Sequence, residues 1–205
     1  MCKVNEIDVH LRKPINLVYH TICYHNMNIA VYCSARSGLG EDVMADARSL
    51  GDWIGSHGHM LVYGGLSMGL MDVVASATAE AGGKVMGVVP QSRAERQHAA
   101  NTVSIGVTTL HERKQIMEEN ADAFVALDGG FGTLDEVMSA LATMTFFKEP
   151  KPIHLLNRNG LYTPLHAMLQ EMAERHLASP DVANAIRLHP DITALTNALN
   201  ETETK

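Results

Sequence analysis

Ala123-Phe124-Val125-Ala126-Leu127-Asp128-Gly129-Gly130-Phe131-Gly132-Thr133-Leu134-Asp135-Glu136 is an apolar run, a glycine-rich turn and the start of an amphipathic segment that continues to about Phe147. That order predicts a strand over 123–127, a tight turn, and a helix over 133–147. Glycines let the backbone approach a ligand closely. The bare N–H groups and positive dipole end at a helix start suit an anion such as a phosphate. Glu136 is expected in the first turn of that helix, where a carboxylate favours the helix but repels a phosphate. Either no anion binds here or Glu136 faces a different part of the substrate, and the second is expected.

The same strand-turn-helix unit recurs on both sides of this stretch. Strands are predicted over 29–33, 60–63, 85–89, 103–109, 123–127 and 153–156, with an edge strand over 187–189. Helices are predicted over 41–57, from the Gly64–Gly69 loop to about Glu80, over 111–120 and 133–147, and over 161–176. A last helix is capped by Asp191. The polar stretch from Gln91 to Asn101, which carries Arg93, Glu95, Arg96 and His98, reads as a loop. Strands alternating with helices at this spacing imply α/β architecture: a single Rossmann-like, doubly wound parallel sheet with helices on both faces.

The domain spans residues 27–200. Residues 1–26 form an N-terminal extension without sustained periodicity, which is either an ordered addition or lies upstream of a natural start at Met27, and 201–205 form a polar tail. The net charge of −7 argues against a general nucleic-acid or membrane-surface binder, so any anion site must be local. Cys2, Cys23 and Cys33 form no CxxC pair. With no signal-peptide core or apolar membrane-length run, this points to a reduced, cytoplasmic protein.

In an open α/β sheet, ligands bind along the edge where strands end and helices begin. The loops at Ser34–Gly38, Gly64–Gly69 and Asp128–Gly132 all leave strand C-termini, and Arg113 and Lys114 are expected in the first turn of a helix that starts on the same edge. A glycine cradle, two cations and the Glu136 carboxylate thus share a crevice. Any one of these has an ordinary reading: tight βα turns, a solvated Glu112-Arg113-Lys114-Gln115 face paired with Glu118, a carboxylate on a helix dipole. Their convergence on one edge is the signal. Gly64-Gly65-Leu66-Ser67-Met68-Gly69 is not GxGxxG, and neither glycine loop has the P-loop lysine, which disfavours dinucleotides and triphosphates. No histidine pair has zinc spacing, and Cys33 at a strand end reads as a packed thiol.

The combination of Gly64-Gly65-Leu66-Ser67-Met68-Gly69-Leu70-Met71, Arg113-Lys114 and Gly129-Gly130-Phe131-Gly132-Thr133-Leu134-Asp135-Glu136 resembles the Lonely Guy (LOG) family, cytokinin riboside 5′-monophosphate phosphoribohydrolases. The resemblance runs from about Asn28 to Ala178. It implies hydrolysis of a nucleoside 5′-monophosphate, a cytokinin riboside monophosphate or AMP, to free base and ribose 5-phosphate. By that resemblance Arg113 and Glu136 are catalytic, Gly130, Gly132 and Thr133 cradle phosphate, and Lys114 and Glu95 contact the nucleotide. Gly129, Gly65 and Ser34 complete the expected substrate-binding set. No metal or cofactor is implied, and a homodimer is. The "lysine decarboxylase" label that many similar proteins carry finds no marked Schiff-base lysine here.

Three positions depart from the family pattern. Asp128 stands where the motif usually begins with proline, Cys33-Ser34-Ala35-Arg36 replaces Cys-Gly-Ser-Ser, and Thr143 occupies a common tryptophan position. Arg36 is a candidate partner for Asp128. The departures motivate a second reading, a non-catalytic nucleotide-binding or sensor protein on the same fold. A third is a transferase in which another acceptor replaces water.

Overall fold

The computed structural model describes residues 26–203, so the expectation about the N-terminal extension falls almost wholly outside the described residues. Seven strands form one parallel sheet: β1 (Asn28–Tyr32), β2 (Met60–Tyr63), β3 (Lys84–Pro90), β4 (Val103–Val107), β5 (Ala123–Ala126), β6 (Ile153–Leu156) and β7 (Ile186–His189). Their spatial order is β4-β3-β2-β1-β5-β6-β7. The chain winds outward from β1 to β4, then returns to the other side of β1 with β5. The direction of winding reverses between β1 and β5, which opens a crevice at their C-terminal ends.

The helices are α1 (Glu41–Ser56), α2 (Gly69–Glu80), α3 (Leu110–Glu119), α4 (Phe131–Phe147), α5 (Thr163–Glu174), α6 (Pro180–Ala183) and α7 (Ile192–Glu203). α1, α2 and α7 bury Leu50, Ile54, Val74, Leu195 and Leu199 against one face of the sheet. α3, α4, α5 and α6 bury Met117, Val137, Leu141, Leu169 and Val182 against the other. The central strands are apolar along their length because both faces are covered, as a parallel sheet requires. Alternate residues of β1 divide between the two cores: Ile29 and Val31 go to one, Ala30 and Tyr32 to the other.

Local chemistry explains the element ends that position the cleft. Thr109 caps α3 by accepting from the Glu112 N–H at 3.1 Å, and Glu112 reaches back to the Thr108 N–H at 2.9 Å, a reciprocal arrangement close to a capping box. Asp191 accepts from the Ala194 N–H at 2.8 Å, as expected of a cap. The segment expected to be a loop contains a short 3-10 helix, Gln91–Arg96. It is tied to the Gly64–Gly69 loop by the Ser67 N–H to the Arg96 carbonyl at 2.9 Å and the His98 N–H to the Gly65 carbonyl at 2.9 Å. α7 continues into the polar C-terminal segment as far as Glu203.

Candidate active site

Arg113 is fixed by the sheet. Its Nε donates to the Val88 carbonyl on β3 at 3.1 Å, and its Nη2 donates to the Gly64 carbonyl, just past β2, at 2.9 Å. The remaining Nη1 stands 3.6 Å from Glu136 Oε1. A Cβ on Gly64 would lie 1.7 Å from Arg113 Nη2, so a larger residue there must displace the guanidinium from this position. Arg113 is the fourth residue of α3 and Lys114 the fifth, so the lysine falls just beyond the expected first turn.

Glu136 is likewise displaced from the expected first turn. α4 begins at Phe131 with Gly130 as its N-cap, which puts Glu136 in the second turn, where the helix dipole gives it little. Its side chain is 13% exposed. Burial lifts its carboxyl to about 7, opposed by Arg113, reinforced by Asp135 and opposed again by Lys114. A carboxyl that titrates near neutrality and touches a fixed cation suits proton transfer.

These two groups open on a cleft of about 530 Å³ that Ser34, Gly64, Gly130, Gly132 and Thr133 also line. The glycines in it differ. A Cβ on Gly129 would meet Thr133 Oγ1 at 2.0 Å, so packing demands that glycine. Gly130 and Gly132 have open space where a Cβ would stand, so packing within the chain does not explain them. Both stand where α4 starts at the cleft, beside its bare N–H groups and positive dipole end. Ser34 is held in place by its N–H donating to the Asp128 carbonyl at 3.0 Å and its own carbonyl accepting from the Leu70 N–H at 2.9 Å.

The structure thus brings Arg113, Glu136, Ser34, Gly130, Gly132 and Thr133 to one cleft. Four expected residues do not line it. Gly129 supports Thr133 from behind, and Gly65, at φ +76, packs against Val89 and Gly87. Lys114 Nζ is bound to Asp135 Oδ1 at 2.7 Å, and Glu95 sits exposed on the 3-10 helix with Arg96 3.9 Å away. Gly64, beside the expected Gly65, is the cleft residue of that pair.

Other site features change their partners. Glu118 is buried rather than ion-paired on a solvated face, and its Oε2 accepts from Thr143 Oγ1 at 2.7 Å. The cation acting on Asp128 is Arg158, not Arg36. Burial pushes the Asp128 carboxyl up, Asp42 and Asp46 add to that, and Arg158 opposes it. Arg158 is itself bound through both Nε and Nη2 to Asp46, with Nε to Oδ2 at 2.8 Å. These contacts join helices and loops far apart in the sequence, with no periodic signal to reveal them. Cys33 lines the cleft as a protonated thiol, pushed up by burial and by Glu136 against Arg113. Among the described residues no group of three or more His, Cys, Asp or Glu could hold a metal ion, and no helix is long and apolar enough to cross a membrane.

The family model described as "Possible lysine decarboxylase" matches residues 71–199. Two cytokinin riboside 5′-monophosphate phosphoribohydrolases of Arabidopsis thaliana are similar to the chain at 33% identity. One aligns over 175 residues, 84% of this chain and 81% of its own length. The other aligns over 177 residues, 85% and 82% respectively. Solved structures that share the fold include the molybdenum cofactor binding protein from Rippkaea orientalis, with a TM-score of 0.70 at 22% identity over 86% of this chain and 97% of that one. The molybdenum cofactor carrier protein from Chlamydomonas reinhardtii also has a TM-score of 0.70, at 24% identity over 88% and 100%. At such identities the likeness is one of fold. The relatives of higher identity carry the classification: the chain belongs to the Lonely Guy family of phosphoribohydrolases. A pyridoxal-dependent decarboxylase uses a Schiff-base lysine. Among the described residues no lysine lines this cleft.

Proposed function

We propose that the protein hydrolyses the N-glycosidic bond of a nucleoside 5′-monophosphate, releasing free base and ribose 5-phosphate. The observation that carries this reading is the contact between Arg113 and Glu136 in the same cleft as the glycine-lined start of α4. The first N–H groups of α4, with Thr133, receive the phosphate, which anchors the ribose. Glu136, farther along α4, faces the ribose carbon. Positive charge grows on that carbon as the bond to the base breaks, and a carboxylate beside it stabilises the charge and takes a proton from the attacking water.

Arg113 holds Glu136 in its charged form at the moment of reaction and lies within reach of the phosphate or the departing base. Lys114, through its ion pair with Asp135, braces α3 against α4 next to the catalytic pair. Membership of the family, together with the cleft, favours AMP and cytokinin riboside monophosphates as substrates. A homodimer completes the reading. It is supported by an apolar stripe on α4 that leaves Phe131 93%, Met138 38% and Phe146 79% exposed.

The direct test is to incubate the protein with AMP and with isopentenyladenosine monophosphate and to follow free base by chromatography. Release of adenine or isopentenyladenine supports the proposal. Failure to release base from any nucleoside monophosphate at high enzyme concentration refutes it. Tight binding with the nucleotide recovered intact would instead favour the sensor reading, which Asp128 in the loop motivates.

A further inference from the structure

A second cavity, of about 570 Å³, lies between α3 and α4 on the side of the sheet that carries Phe124. It shares no lining residue with the cleft. Its walls combine apolar surface from Phe124, Met144 and Phe147 with the carboxylates of Glu118, Glu119 and Glu149. Glu118 is 7% exposed. Thr143 occupies one of its carboxylate oxygens, while the other, Oε1, is buried with no hydrogen-bond partner. Leaving a buried acceptor unpaired is costly, so a donor that reaches it is favoured.

The cation next to this carboxylate is already committed. Lys151 Nζ donates to the carbonyls of Glu118 at 3.2 Å and Ala121 at 2.7 Å, the free ends of the α3 C-terminus and its following turn. With three carboxylates lining it against one lysine, the cavity has a surplus of negative charge beside an aromatic and methionine surface, in a volume suited to a small molecule. A ligand that matches it has a charged donor at one end and an apolar body at the other. Phe147, exposed at the rim, adds a ring face that attracts a cation.

We propose that the cavity between α3 and α4 is a second ligand site that binds a small organic cation, a primary ammonium on an apolar body, through Glu118. The ammonium donates to Glu118 Oε1, and the body lies against Phe124, Met144 and Phe147. The site is independent of nucleotide hydrolysis, so it stands or falls separately from the proposed activity.

Calorimetry on the full chain with phenethylamine tests the site, with neutral 2-phenylethanol and anionic phenylacetate as controls of the same shape. Saturable binding of the amine is expected, with the alcohol at least about tenfold weaker because the charge-assisted hydrogen bond is lost. Phenylacetate is expected not to bind. Glu118→Gln removes the charge and should weaken the amine by a similar factor. Ser139→Trp fills the cavity from α4 and leaves the Glu118 side chain itself unchanged, and should abolish binding even if the first variant folds poorly. The proposal is overturned if wild-type protein fails to bind phenethylamine, if phenylacetate binds as well, if both variants bind like wild type, or if AMP displaces the amine, which would put it in the cleft.

Discussion

Arg113 Nη1 stands 3.6 Å from Glu136 Oε1, and the two residues come from different helices, α3 and α4, on the two sides of β5 in the chain. The pair is held from the arginine side, by carbonyls of the sheet edge, and its carboxylate is held mainly by burial. Substituting one member therefore acts on the other in a predictable direction.

Glu136→Gln keeps the shape of the side chain and removes the proposed base. We expect kcat to fall by about 10²–10⁴, the range for loss of a positioned acid or base, while nucleotide affinity stays within about threefold. Steady-state release of free base, with calorimetric titration of AMP, measures both. A variant that retains normal kcat would remove Glu136 from the mechanism.

The same carboxyl sets a pH limb. With the Glu136 carboxyl at about 7 in the folded chain, kcat/KM should fall as pH drops through neutrality, because the protonated acid can no longer accept a proton. A fall on the alkaline side of 7 instead would assign it the role of proton donor.

Stability follows the opposite sign from an ordinary salt-bridged carboxylate. The folded pKa lies above the ordinary glutamate value of 4.5, so the folded state binds the proton more tightly. The contribution is full below about 4.5 and is lost as pH rises through 7, at most about 3 kcal/mol. Glu136→Gln, neutral at every pH, should then gain on wild type in denaturant melts as pH rises from 4.5 to 8. Parallel curves for the two proteins would contradict the burial argument.

Gly64→Ala tests the arginine without changing it. The new Cβ would stand 1.7 Å from Arg113 Nη2, so the guanidinium must leave the Gly64 carbonyl. Activity should drop by about 10²–10³, comparable to losing a fixed electrostatic donor. Folding, followed by circular dichroism and chemical denaturation, should persist, because the glycine sits at a loop start and its clash is with a side chain. Wild-type turnover in this variant would mean that Arg113 tolerates another position.

Thr133→Ala should act on the phosphate. KM for AMP should rise by about tenfold, roughly the value of one hydrogen bond to a charged group, with kcat little changed. Kinetics with adenosine beside AMP isolate the effect, since the nucleoside has no phosphate to lose contact with. Equal losses on both substrates would place Thr133 elsewhere in the mechanism.

Strand and helix order were legible from period and punctuation, as the matching bounds of β2 and β6 illustrate. The start of α4 was not. Gly129, Gly130 and Gly132 read together as a loop, but Gly132 lies inside the first helical turn, and that two-residue difference moves Glu136 to the second turn. α6 was missed because four residues carry no periodic signal. In the cleft, residues attached to strand ends were legible because topology brings strand ends together, as with Ser34, Gly130 and Arg113. Long-range side-chain partners were not: Glu118 with Thr143, Lys114 with Asp135 and Arg158 with Asp46 depend on helix rotation and loop path, which a single sequence does not encode locally.

The suspension of Arg113 from the carbonyls of Val88 and Gly64 has a further implication for how the site could be re-engineered. Because two peptide dipoles of the sheet edge, rather than flexible side chains, hold the guanidinium, its charge is already oriented before substrate arrives, and little reorganisation is needed as the bond breaks. Leu110, exposed at the start of α3 and part of neither cavity, can then be replaced for solubility or attachment while the cation keeps its place, provided Gly64 is left alone.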